Sequence, residues 1–302
     1  GYSALSAEDT GSRNVAIGGE ALGALNYDGE AYNTAVGFAA GKLVSTGTNN
    51  TIIGGLAGDA LTTGSRNVAV GYAALSTEDG HGRTVAIGYR ALVAQDAGAE
   101  AYNVAVGYEA GAAMTTGTEN TLIGSQAGDG LTTGGYNVAV GYKALSSEDG
   151  NGKNVAIGHQ ALEIQNAGAD AYNVAIGQNT GKVISTGTYN ILIGGLAGDA
   201  LTTGGENVAI GHEALSTEDA HGTNVAVGYR ALKILNAGAN GYNAAVGHGA
   251  GQSMTTGVQN VFIGGSAGDA YTTGGQSVGI GFEALSTEDD HGGSTAVGYQ
   301  AL

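Results

Sequence analysis

Four acidic loops recur along the chain, Glu78-Asp79, Glu148-Asp149, Glu218-Asp219 and Glu288-Asp289, and three of them have a histidine nearby, His81, His221 or His291. Carboxylates and imidazoles in one loop are potential donors to a cation, and calcium is the first ion to consider. Glycine-rich calcium solenoids need GGxGxD at a nine-residue period, which is absent here. The recurring Asp59, Asp129, Asp199 and Asp269 do not by themselves make a six-oxygen shell. The loops therefore read as a solvated acidic edge, with no metal and no cofactor, and a calcium-stiffened filament is the competing expectation.

Paired carboxylates also cleave glycosides, but at a specific break or groove, and this chain has no irregular insertion to hold such a pair. GxSxG, HExxH and phosphate-loop patterns are absent as well. The expectation is that the chain is not an enzyme. Thr-Thr-Gly recurs at 62–64, 115–117, 132–134 and 202–204 and suggests an ice-binding array. Adjacent threonines point to opposite sides of a strand, however, and half of the repeats lack them.

Those residues are positioned by a repeat. The segments that open at Asn14, Thr84, Asn154, Asn224 and Ser294 are versions of NVAIG followed by Ala-Leu, set at one constant interval. Inside each unit the phrase returns at steps of 19, 17, 17 and 17, which gives seventeen starts between residues 14 and 294. Such an uninterrupted short period predicts the rungs of a solenoid. With the opening residue as position 0, Val or Thr, Ala, Val or Ile and Gly follow, and the alternation predicts a strand. Val68 and Val70 then share one face, with Ala69 and Gly71 on the other. Both faces are apolar, so one is expected to line a narrow interior and the other to be buried against neighbouring chains.

Asparagine opens most rungs, at Asn14, Asn33, Asn50, Asn67, Asn103, Asn120, Asn137, Asn154, Asn173, Asn190, Asn207, Asn224, Asn243 and Asn260. These predict an amide ladder, each side chain bonding to its equivalents above and below at a tight turn. Position 5 forms a column of Phe38, Tyr72, Tyr89, Tyr108, Tyr142, Tyr229, Phe282 and Tyr299, joined by His159, His212 and His248. It reads as an intersubunit seam or as a surface for stacking sugars.

Where position 2 enlarges to Ile52, Leu122, Leu192 or Phe262, position 5 shrinks to Gly55, Ser125, Gly195 or Gly265, which reads as conserved packing volume. A second exchange pairs Leu75, Leu92 and Leu145 at position 8 with Leu61, Met114, Leu131 and Leu201 at position 11 of rungs that have Gly at position 8. The rest of each rung reads as a second short strand or a turn, with glycine at the positive-φ corners. Seventeen rungs at roughly 4.8 Å each would make a rod about 80 Å long.

Composition narrows the class. The 302 residues include 58 glycines and no proline or cysteine, and glycine does not fall at every third position, which excludes collagen. Disulfides and cysteine-based metal sites are excluded too. Regularly placed branched apolar residues argue against disorder. Ten basic against 27 acidic residues give a formal charge of −17, which repels nucleic acid and anionic lipid. No run of about 18 apolar residues exists to insert in a membrane. Residues 1–13 align with 71–83 and the last residues match Ala21-Leu22 in mid-rung, so the reading is of a segment of a longer repetitive chain.

The phrases at 67–71, 103–107 and 173–177 resemble the head repeats of YadA-type trimeric autotransporter adhesins, and equally the NTAVGYxAL repeats of phage tail fibres. The resemblance covers the whole chain. It implies a parallel β-roll or β-helix with three chains side by side, in a surface-attachment structure. The combined expectation is an all-β parallel β-solenoid, continuous over 1–302. Its rungs are of about 17–19 residues, and four of them make a super-repeat of about 70 residues. It is expected to form an extracellular homotrimer, on a cell surface or virion fibre, that reaches any glycan or receptor through another region. A glycan- or ice-binding repeat module is the alternative.

Overall fold

A computed structural model describes residues 1–287 and 292–301. Seventeen three-residue strands, β1 (Val15–Ile17) to β17 (Thr295–Val297), open the rungs, and no helix occurs among the described residues. The chain is an all-β parallel solenoid. Its contacts divide into two compact units, Gly1–Gly152 and Lys153–Leu302. The first holds β1 to β8 (Val138–Val140) and the second β9 (Val155–Ile157) to β17. Within each unit, consecutive strands pair in parallel with like over like, as in Val68↔Val85, Ala69↔Ala86 and Val70↔Ile87. The super-repeat is thus one longer rung, as from Asn14 to Asn33, followed by three shorter ones that open at Asn33, Asn50 and Asn67.

The narrow interior takes the small residues. Ala35, Ala69, Ala105, Ala139, Ala175 and Ala209 at position 2 are fully buried, while Val and Ile at positions 1 and 3 face outward. Isolated strands of three residues are too short to be stable alone. Here the ladder continues past each strand: Val68 N–H donates to the Thr84 carbonyl (2.9 Å) and Gly71 N–H to that of Ile53 (2.7 Å).

The remainder of each rung is turn, and no second strand forms among the described residues. Nor does glycine hold the positive-φ corners of Thr-Thr-Gly. The left-handed residues are instead Arg66 (φ 61°), Ala73 (φ 52°) and Leu75 (φ 54°), at positions −1, 6 and 8, and their equivalents. Non-glycine residues there cost roughly 1–2 kcal/mol each. The conformation turns their N–H groups along the stack, to the carbonyls of Thr48, Gly55 and Ala91, at 2.9–3.0 Å. Those backbone groups would otherwise lose both water and partner, which offsets the strain.

Glycine is required for close approach. A Cβ on Gly64 of Thr-Thr-Gly would lie 2.3 Å from the His81 carbonyl oxygen. One on Gly71, at φ +132°, would lie 2.3 Å from that of Gly88.

The exchange of volume between positions 2 and 5 is not what packs the interior, because position 2 faces inward and position 5 outward. Room for Ile52, Leu122 and Leu192 comes from glycine at position 8. A Cβ on Gly41 would stand 2.8 Å from Ile52 Cδ1, and one on Gly128 would stand 2.8 Å from Leu122 Cδ2. Glycine at position 8 also admits Leu61 and Leu131 at position 11, each 2.8 Å from such a Cβ on Gly58 or Gly128. Phe262 shows the same rule locally. It packs edge-on against Tyr271 (5.2 Å), and its ladder partner at position 2 shrinks to Gly279. Tyr271 Oη meets Ser277 Oγ at 2.6 Å, at the position where other rungs place Asn.

Candidate functional site

The alternation that buries positions 0 and 2 brings positions −1, 1, 3 and 5 to the outer surface. The sheet face is apolar: Ile17, Ile53, Ile123, Ile191, Val246 and Ile263 are among its exposed residues, from 39% for Ile53 to 58% for Ile17. Exposure of that size in a stripe along each unit is unusual for a monomer, in which large apolar side chains are normally scattered singly.

Position 5 borders the stripe. Tyr72, Tyr89 and Tyr108 stack with centroids 5.7 and 5.3 Å apart and planes within 15°. His212, Tyr229 and His248 do likewise at 5.8 and 5.0 Å, and Phe282 stacks on Tyr299 at 5.7 Å. Phe38 is exposed, and Tyr142 lies under the Lys143 ammonium at 5.7 Å. Within a stack each ring face is covered by its neighbour, which leaves edges outward. A sugar stacks on a free ring face, so this geometry favours packing against another surface.

A second border, at position −1, escaped the sequence reading. It carries the exposed Tyr32, Tyr102, Tyr136, Tyr172, Tyr189 and Tyr242. Arg13 lies over the Tyr32 ring (5.2 Å), bonds its hydroxyl and pairs with Glu30 at 2.8 Å. Arg83, Tyr102 and Glu100 repeat the cluster one super-repeat further on, and Lys153, Tyr172 and Asp170 repeat it again. Their joint recurrence at the super-repeat interval is the signal that would have revealed them. Each ties the extra loop of a longer rung to the rung before it.

Under the face runs the asparagine row. Asn33 Oδ1 accepts from the Asn50 backbone N–H (2.9 Å), and Asn50 Oδ1 from that of Asn67 (2.9 Å). The same links join Asn14 to Asn33, Asn103 to Asn120 and Asn120 to Asn137. In the second unit they run from Asn154 through Asn173, Asn190, Asn207, Asn224 and Asn243 to Asn260. The chain of bonds is chiefly amide to backbone. Nδ2 turns across its own rung, as from Asn50 to the Gly64 carbonyl (2.8 Å), and so fastens the return half to the strand. At Thr84 the row loses its amide, and the buried Gln95 bonds both Thr84 Oγ1 (3.1 Å) and Asn103 Nδ2 (2.8 Å).

The acidic loops depart from the expected solvated edge. Asp79, Asp149 and Asp219 are exposed, but Glu78, Glu148 and Glu218 are buried. They occupy position 11, the core column that holds Leu61, Leu131 and Leu201 in the rungs before them. Glu288, Asp289 and His291 lie outside the described residues.

Glu78 accepts from the His81 N–H (3.1 Å), the Ala97 N–H (3.3 Å) and Gln95 Nε2 (3.3 Å). Potential ligand atoms of Glu78, Asp79, His81 and Asp96 therefore fall within 4.8 Å of one another, as do those of Glu218, Asp219 and His221. The turn's wrapping of a buried glutamate accounts for both groupings. Burial pushes Glu218 above the usual carboxylate range, against the pull of the Ala237 and His221 N–H groups. It also raises the half-buried Asp59, Asp129, Asp199 and Asp269.

A scan against models of known protein families gives no match, and a search among curated proteins finds no relative. No helix among the described residues is long and apolar enough to cross a membrane.

Proposed function

We propose that this chain is a non-enzymatic structural segment of an extracellular fibre, an adhesin or a phage tail fibre, that supports attachment to a host or surface. Three copies stand side by side with their outer sheet faces against one another. The observation that carries this reading is the outward Val/Ile stripe, bordered by the two aromatic columns, which the described residues of its own chain leave exposed. Burying apolar surface contributes about 25 cal/mol per Å², so a stripe repeated over many rungs supplies a strong drive to associate. Uniformity supports a mechanical role as well, because a catalytic centre or single-ligand site usually sets one rung apart in chemistry from its neighbours.

The test replaces outward residues of several rungs, Val70→Lys, Ile87→Lys and Val106→Lys together, and measures mass in solution by light scattering. The parent chain is expected at three times its 29.5 kDa, and the triple variant at 29.5 kDa with an unchanged β signature. A parent chain that is monomeric at micromolar concentration overturns the assembly.

A further inference from the structure

The outer face carries a recurring gap that the chain itself does not need. In the third rung of each super-repeat, the one that opens at Asn50 and its equivalents, position 5 is Gly55, Ser125, Gly195 or Gly265. In the first unit the rungs on either side hold rings there, Phe38 and Tyr72 around Gly55, and Tyr108 and Tyr142 around Ser125. None of the three glycines is left-handed, and the nearest atom to a Cβ on Gly55 or Gly195 would be 3.6 Å away. Glycine loses more conformational freedom on folding than any other residue, so an outward glycine without a steric or dihedral need marks space kept for something else.

The opposite border carries a projection of the same period. In the second rung, the one that opens at Asn33 and its equivalents, position −1 is tyrosine in all four super-repeats: Tyr32, Tyr102, Tyr172 and Tyr242. All four are exposed, and no other rung keeps a single residue type at that position. A cation fixes three of them, since Arg13 bonds the Tyr32 hydroxyl, Arg83 that of Tyr102 and Lys153 that of Tyr172 (2.9 Å). Rings held in this way lose little freedom on docking.

Identical copies arranged about one axis meet through unlike patches, so border −1 of one copy lies along border 5 of the next. The first unit presents a face roughly 15–20 Å wide and eight rungs of about 4.8 Å tall, about 600–750 Å², and the second unit a face of similar size. Together these exceed the roughly 800 Å² that a stable interface takes from each partner.

We infer, resting on the self-association proposed above, that each second-rung tyrosine seats in the third-rung gap of the adjacent copy: Tyr32 over Gly55, between Phe38 and Tyr72, and Tyr102 over Ser125, between Tyr108 and Tyr142. The rings that flank a gap are two rungs apart, about 10 Å, and a ring entering midway has one face against each. The guest tyrosine so completes the ladder that glycine interrupts, close to the 5.3–5.7 Å spacing of the unbroken stack. It also fixes the register between copies. The Val/Ile stripe is nearly the same in every rung and permits slippage, whereas tyrosine and gap match again only after four rungs, about 19 Å.

The experiment oxidises the full chain carrying Tyr102→Cys and Ser125→Cys, in a parent that has no cysteine. The two sites lie on opposite borders of one chain, more than about 10 Å apart, beyond the reach of a disulfide, so a bond forms only between copies. Most of the chain is expected as a covalent trimer on a non-reducing gel, with each single variant uncrosslinked. Tyr136→Cys with Ser125→Cys displaces the thiol by two rungs, about 10 Å, and is expected not to close. If the chain has the mass of a trimer but Tyr102→Cys with Ser125→Cys closes no better than this control, the seating is overturned and the assembly stands. A parent chain with the mass of one copy overturns both. Should the cysteine chain fail to fold, Gly55→Tyr and Ser125→Tyr fill the gaps instead. Filling is expected to weaken assembly about tenfold or more, with recovery when Tyr32→Ala and Tyr102→Ala are added. Unchanged assembly in the filled chain overturns the seating.

Discussion

The strand half and the return half of a rung keep their order by different means. On the strand half, three residues per rung meet mostly similar neighbours through a backbone ladder, and a Cβ has no room at Gly71. On the return half, side chains add to scattered backbone bonds such as Ser45 N–H to the Thr62 carbonyl: asparagine amides, threonine hydroxyls and buried glutamates reach across to backbone groups. The extra length of the longer rungs falls there, around the exposed Glu100 and Asp170. Backbone ladders demand sameness, whereas side-chain fastenings accept substitution and insertion, so chemical variety collects on the return half.

The largest effect should come from crowding the strand half. Gly71→Val puts branched carbon where the Gly88 carbonyl oxygen already stands, and it should cost more than about 4 kcal/mol, read as loss of the folded chain. Gly98→Ala lies in a return turn with φ +66° and nothing within 4 Å, and should cost only about 1–2 kcal/mol in a denaturant titration. Equal costs would erase the distinction between the halves.

Asn120 fastens one half to the other. Its Oδ1 accepts from the Asn137 N–H (2.9 Å) and its Nδ2 donates to the Gly134 carbonyl (2.9 Å), both buried. Asn120→Ala leaves those groups unpaired and should lose about 3 kcal/mol in chemical denaturation.

Glu148→Leu should act in the opposite direction and depend on pH. Since the folded carboxyl is pushed up to about 7, the leucine variant should be the more stable at pH 8, by at most about 3 kcal/mol. The advantage shrinks as pH falls to 4.5. Thermal melts at the two pH values check the sign.

The smallest effect belongs to the exposed cluster at position −1. Arg83→Ala removes a contact over the Tyr102 ring and an ion pair with Glu100, and should cost under about 1 kcal/mol, less still in high salt.

The strand and its register were legible because period-2 alternation repeated at a fixed spacing leaves one arrangement that buries like upon like, whereas two apolar faces left open which of them turns inward. Glycine's role was misassigned in Thr-Thr-Gly, since sequence does not distinguish a steric need from a dihedral one. Left-handed Leu75 and Ala73 were not legible, because their strain is offset only by hydrogen bonds to other rungs. The buried glutamates were visible in principle: Glu78 aligns with Leu61 and Leu131 at position 11. Charge within a Ser-Thr-Glu-Asp string suggested solvent, and the column says core. The Arg83–Tyr102–Glu100 cluster joins residues a full rung apart, and only the recurrence of all three together in three successive super-repeats would have marked it.

Self-association through the outer stripe is most directly tested by the mass of the chain in solution, measured by sedimentation equilibrium over a range of micromolar concentrations. A concentration-independent species of three times 29.5 kDa, reduced to one by the lysine substitutions, is the predicted result. A chain that sediments at 29.5 kDa throughout, with its valines and isoleucines open to water, would contradict it.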